Sequence, residues 1–124
     1  MATHSILLLC DDLLFSSRIA GTARSLGIAL RTARNTQALD ALVEQEAPAC
    51  VIVDLSNPGL DIVTLLTALK QLTTPPRVVA FGSHVDAATL KAARDAGCDP
   101  VWPRSKFVEE LEQALPGWLT PTST

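Results

Sequence analysis

No long apolar run occurs anywhere in this chain. Its longest aliphatic stretch, Ile6-Leu7-Leu8-Leu9-Cys10, covers about five residues, whereas a membrane-spanning helix needs about 20. The same run has no basic segment before it and ends in two acids, which argues against a secretory signal. A cytoplasmic protein with no membrane partner is expected. Clusters of Lys and Arg are missing too: ten basic and thirteen acidic side chains leave a formal charge of −3, with a pI near 5.2. Without a basic stripe to neutralise phosphates, direct nucleic-acid binding is not expected. Cysteine is scarce. Cys10, Cys50 and Cys98 form an odd set with no C-x-x-C spacing, so buried structural thiols are expected in place of a metal or redox pair. The G-x-S-x-G, H-E-x-x-H and dinucleotide fingerprints are absent, as are internal repeats, low-complexity tracts and a linker to a second domain. A chain of 124 residues, 48% hydrophobic, then reads as one domain with a single core.

Short apolar runs alternate with amphipathic stretches. Ser5–Cys10, Ile28–Arg31, Cys50–Val53, Arg77–Phe81 and Pro100–Trp102 read as strands. The first, third and fourth are continuously apolar, which suits strands covered on both faces. Between them, Phe15, Ile19, Ala23 and Leu26 share one helical face, and Gly27 stands where a left-handed stop is expected. Thr36 can cap a second helix with Leu39, Leu42 and Val43 turned inward. Ile62, Leu65, Leu66, Leu69 and Leu72 form the clearest stripe, stopped by Pro75-Pro76. Asp86 can cap a fourth helix carrying Leu90 and Ala93, with Gly97 past its end. Ser105 can cap a fifth with Val108, Leu111 and Leu115 inward. Five βα units in series predict a doubly wound α/β domain over residues 1–117: a five-stranded parallel sheet in the order 2-1-3-4-5 with helices on both faces. Residues 118–124 are expected to be a flexible tail.

The stretch Ala49-Cys50-Val51-Ile52-Val53-Asp54 runs apolar residues straight into a carboxylate. In a parallel sheet all strands point one way, so Asp54 at the end of strand three and Asp11-Asp12 at the end of strand one lie on the same edge. Strands one and three are neighbours at the switch point where ligands bind in this architecture. Any one of these acids could simply cap a helix, and Asp12 is placed to cap the first. Three together repel one another unless a cation intervenes, and few, hard oxygen ligands suit Mg²⁺.

Cys10-Asp11-Asp12, Val53-Asp54 with Pro58 four residues on, Asp61, Ala96-Gly97-Cys98 and the βα rhythm together resemble the receiver domain of bacterial response regulators, from Ser5 to about Leu115. The resemblance implies a flavodoxin-like receiver fold and a role in two-component phosphorelay. It makes the chain a signalling domain and not an enzyme beyond self-catalysed phosphotransfer. Asp54 matches the aspartate that takes a phosphoryl group from a histidine kinase, a phosphotransfer protein or a small phosphodonor. Asp11 and Asp12 match the metal-binding pair, and with Asp54 and the Ser56 backbone carbonyl they imply bound Mg²⁺. A downstream protein partner and a homodimer are further implied partners.

Two positions depart from the family pattern. The Thr or Ser that usually follows strand four falls on Gly82, with Ser83 next, a loop residue or a displaced hydroxyl donor. By spacing from Gly97, Arg104 stands at the place of the usual Lys and Ser105 at that of the Pro; Lys106, just before Phe107, is the other candidate. Arg keeps the charge but is a larger, planar group. Trp102, near the family's aromatic switch position, is a core filler or a contact on an interaction face formed by the fourth helix, fifth strand and fifth helix. His4 and His84 read as exposed residues. The metal-binding half of the resemblance is retained and the phosphoryl-sensing half altered, giving an atypical receiver. The alternative is a pseudo-receiver that acts by protein–protein interaction alone. A flavin-binding domain on the same frame would need a hydroxyl- and glycine-rich loop where Asp11-Asp12-Leu13-Leu14 stands.

Overall fold

A computed structural model describes residues 5–82 and 87–119. Five strands, β1 (Ile6–Leu9), β2 (Leu30–Ala33), β3 (Cys50–Asp54), β4 (Arg77–Gly82) and β5 (Val101–Pro103), alternate with five helices. The helices are α1 (Leu13–Ser25), α2 (Thr36–Gln45), α3 (Ile62–Lys70), α4 (Ala87–Ala96) and α5 (Arg104–Ala114). A short 3₁₀ turn, Leu115–Leu119, follows. All strands are parallel in the order β2-β1-β3-β4-β5, as the βα rhythm predicts.

The central strands are apolar throughout because the sheet divides two cores. Ile6, Leu8, Cys50 and Ile52 face Phe15, Ile19, Phe107 and Leu111 of α1 and α5. Leu7, Leu9, Val51 and Val53 face Leu39, Leu65, Leu69 and Ala93 of α2, α3 and α4. Alternate residues point to opposite faces of a strand, so a strand buried on both needs no polar position. Cys10, Cys50 and Cys98 are free and buried, and burial lifts their thiols to about 11, 12 and 11 respectively. They are inert packing groups.

Beyond strand ends that move by one residue, four boundaries differ from the sequence reading. β2 pairs through Leu30–Ala33, two residues later than Ile28–Arg31, because Ile28 and Leu30 pack beside the α1–α5 core while the chain enters the sheet. Asn35, and not Thr36, caps α2, its side chain accepting from the Ala38 N–H at 2.8 Å. Ser105 caps nothing: β5 runs directly into α5, Pro103 takes the cap position, and no side chain there accepts a hydrogen bond. Packing also continues past 117, since Trp118 is only 5% exposed and lies beside Trp102 and Phe107. Gly27 and Gly97 end their helices with positive φ of 73° and 115°, a region open to glycine at little cost. Asp86 lies outside the described residues.

Candidate functional site

The register decides which side chains meet at the carboxyl edge of the sheet. Leu9 pairs with both Ala33 and Val53, Asp54 with Phe81, and Gly82 with Pro103. The residues that follow, Cys10-Asp11-Asp12, Arg34, Leu55-Ser56-Asn57 and Arg104, therefore lie along this edge.

Asp54 is the last residue of β3 and 7% exposed. Its Oδ1 accepts the Ser56 N–H at 2.9 Å and its Oδ2 accepts the Cys10 thiol at 3.6 Å. Burial, with the Asp54 charge adding to it, keeps Cys10 protonated, and so a donor. The Asn57 N–H closes the turn onto the Asp54 carbonyl at 3.0 Å. Its buried amide donates to the Arg34 carbonyl at 3.4 Å, tying the loop after β3 to the loop after β2.

Asp12 caps α1, its Oδ1 accepting the Phe15 N–H at 3.0 Å. Its Oδ2 accepts from Arg104 Nη2 at 3.1 Å. The Phe15 N–H first and the Arg104 guanidinium second hold this carboxyl below the usual aspartate value. Arg104 also lies flat over the Phe15 ring, its Cζ 3.7 Å from the centroid. Asp11 turns the other way, its Oδ1 3.5 Å from Arg34 Nε. Asp61, part of the same motif, caps α3 by accepting the Thr64 N–H at 3.1 Å.

The expected common pocket of Asp11, Asp12 and Asp54 is thus not formed as a metal centre. All three lie on one edge, but no three His, Cys, Asp or Glu side chains among the described residues come together to hold an ion. Two of the carboxylates are drawn apart, each to its own arginine. As arranged, this donor set does not fit Mg²⁺, which needs oxygens converging in near-octahedral geometry at about 2.0–2.1 Å.

Of the phosphoryl-contact candidates, Arg104 is at the acidic edge and Lys106 is not. The Lys106 side chain is exposed and reaches over the Trp102 ring at 5.7 Å. Gly82 is buried at the end of β4 and contributes only backbone. Ser83 and His84 lie outside the described residues. Trp102 is half-buried, 6.0 Å from Trp118, so it is partly a core filler. Sequence reasoning missed Arg34. The strand assigned from sequence ended at Arg31; with β2 running to Ala33, Arg34 follows it directly and lies beside Asp11.

No family model matches the chain. Among curated proteins, the photosynthetic apparatus regulatory protein RegA of Rhodobacter capsulatus is 28% identical over 115 residues, which cover 90% of this chain and 61% of RegA. The chain thus spans about three fifths of that relative's length. Sporulation initiation phosphotransferase F of Bacillus subtilis is 24% identical over 89 residues, 72% of this chain and 71% of the relative. Among solved structures, the receiver domain of Francisella response regulator 1452 superposes with a TM-score of 0.79. It covers 94% of this chain and 96% of its own, and its 17% identity speaks for the fold alone. Sheet order, the acids at the strand ends and these likenesses converge: in sequence and in fold the chain is similar to response-regulator receiver domains.

Proposed function

We propose that this receiver takes part in a phosphorelay with Asp54 as the residue that is phosphorylated. One observation carries the reading. Of the three acids at the edge, Asp54 alone has no ion pair among the described residues, and the end of a buried strand and two hydrogen-bond donors hold it in place. A carboxylate fixed in this way is suited to attack phosphorus. A bond forms from Asp54 Oδ to phosphorus as the bond to the donor's imidazole nitrogen or acyl oxygen breaks, and the leaving group departs with the bonding electrons. Arg104, on the neighbouring helix terminus, supplies positive charge near the transferred oxygens. The donors are a histidine kinase, a phosphotransfer protein or a small acyl phosphate, and a downstream protein reads the outcome, as a heteromer or through a homodimer. Mg²⁺ held by Asp11, Asp12, Asp54 and the Ser56 carbonyl remains part of the reading only if Arg34 and Arg104 give way.

A second reading is favoured by Gly82. With no hydroxyl among the described residues at the end of β4 and Arg104 engaged by Asp12 and Phe15, a phosphoryl group has few contacts among them through which to move the α4–β5–α5 face. The domain would then act as a phosphorylation-independent interaction module. Incubation with acetyl phosphate or phosphoramidate, followed by intact mass measurement, separates the two. The first reading expects one phosphoryl group gained by the wild type and none by Asp54→Asn; an equal gain in mass by the two proteins, or no gain by either, refutes it.

A further inference from the structure

We propose that Arg34 and Arg104 are the counter-ions of the acidic edge, so that a divalent cation binds there only by displacing them. The two arginines come from opposite sides of the site, one from the loop after β2 and one from the first turn of α5, and each takes one member of the acidic pair. Little carboxylate capacity is left over. Both oxygens of Asp54 accept hydrogen bonds, from Ser56 and Cys10. Both oxygens of Asp12 accept, from Phe15 and Arg104, and one oxygen of Asp11 faces Arg34. An oxygen can accept more than one contact, but a guanidinium and a divalent ion on the same carboxylate repel each other. The two positive groups compete for one site.

Arg104 is the stronger competitor. Its side chain is 31% exposed against 60% for Arg34, its pair is shorter, and stacking on Phe15 holds the plane of the guanidinium. Arg34 is placed by its backbone, whose carbonyl the buried Asn57 amide grips. The proposal rests on these acids being the receiver's acidic edge, and it is independent of whether Asp54 is phosphorylated.

The test is a Mg²⁺ titration of the full chain, followed by the backbone amide shifts of Leu55, Ser56 and Asn57. Wild type, Arg104→Ala, Arg34→Ala, the double variant and the double variant with Asp12→Asn are compared, each first shown to be folded by circular dichroism. Where Arg104→Ala does not fold, Arg104→Gln takes its place. The double variant is expected to bind about tenfold more tightly than wild type, with the larger share from Arg104, since an exposed pair alone changes affinity by only up to about fivefold. Asp12→Asn is expected to abolish that gain. Wild type binding as tightly as the double variant overturns the proposal, and so does a folded double variant that fails to bind. A failure of phosphorylation in the mass experiment leaves this comparison untouched.

Discussion

A buried thiol at the end of β1 shows how a single residue serves the site without doing chemistry. Cys10 packs in the α1–α5 core and still donates to Asp54. Burial raises its thiol from 9.0 to about 11, and raises Cys50 and Cys98 to about 12 and about 11. The neutral thiol is therefore the form the fold prefers. The stability this contributes is complete below the unfolded value near 9 and is lost as pH rises through about 11 to 12. Alkaline titration of the unfolding midpoint should show a decline that begins above about pH 9, and Cys50→Ala should flatten it. At about pH 8 all three thiols should resist iodoacetamide in the folded chain and react once denaturant is added; fast reaction without denaturant would contradict the burial argument. Phe107, packed in the same core, was not among the residues the sequence reading turned inward. Phe81 and Phe107 stack at 4.5 Å because their strand and helix positions leave them nowhere else to point.

At the scale of the element, caps decide where helices begin, and Asp12, expected from sequence to hold a metal, is one of them. Asp12 and Asp61 accept N–H groups at the starts of α1 and α3, and these bonds lower both carboxyls. Their contribution is present above the ordinary value of 3.8 and fades as pH falls below it. At α2 the side-chain bond belongs to Asn35. Asn35→Ala should cost about 1 kcal/mol by denaturant unfolding, and Thr36→Ala much less; the reverse order would restore the cap to Thr36. Sequence pattern identified the inward faces of α1 and α3, and part of that of α5, because an apolar stripe at helical spacing has few other uses. It missed the cap of α2 and the start of α5, because Asn35 and Thr36 are both good caps, and Ser105 looks like a cap until β5 is seen to lead straight into the helix. The two-residue shift of β2 had the larger consequence, since it hid Arg34.

For the whole molecule, the sheet places every acid of the site on one edge, and the last turn closes the α1–α5 core. Trp118 stacks near Phe107 at 6.2 Å and is 5% exposed, so the packed domain reaches beyond the boundary at 117 drawn from sequence. Ending the chain after Gly117 should lower stability by about 3–5 kcal/mol, the cost of removing a buried tryptophan. A truncated chain with an unchanged unfolding midpoint would return that residue to the tail. Together, the mass measurement on Asp54 and the Mg²⁺ titration of the arginine variants ask whether this edge is phosphorylated and what balances its charge.

The sequence by itself determined the βα order, the two-sided burial of the central strands and the alignment of Asp11, Asp12 and Asp54 on one edge. Apolar periodicity and parallel topology depend on local pattern and on the rules of crossover. Only the tertiary structure decided what those acids touch. Ion pairs and hydrogen bonds join residues distant in the chain, Asp12 with Arg104 and Asp54 with Cys10. Which partner wins depends on strand register and helix starts to within a residue or two, a precision that hydrophobic patterning does not carry.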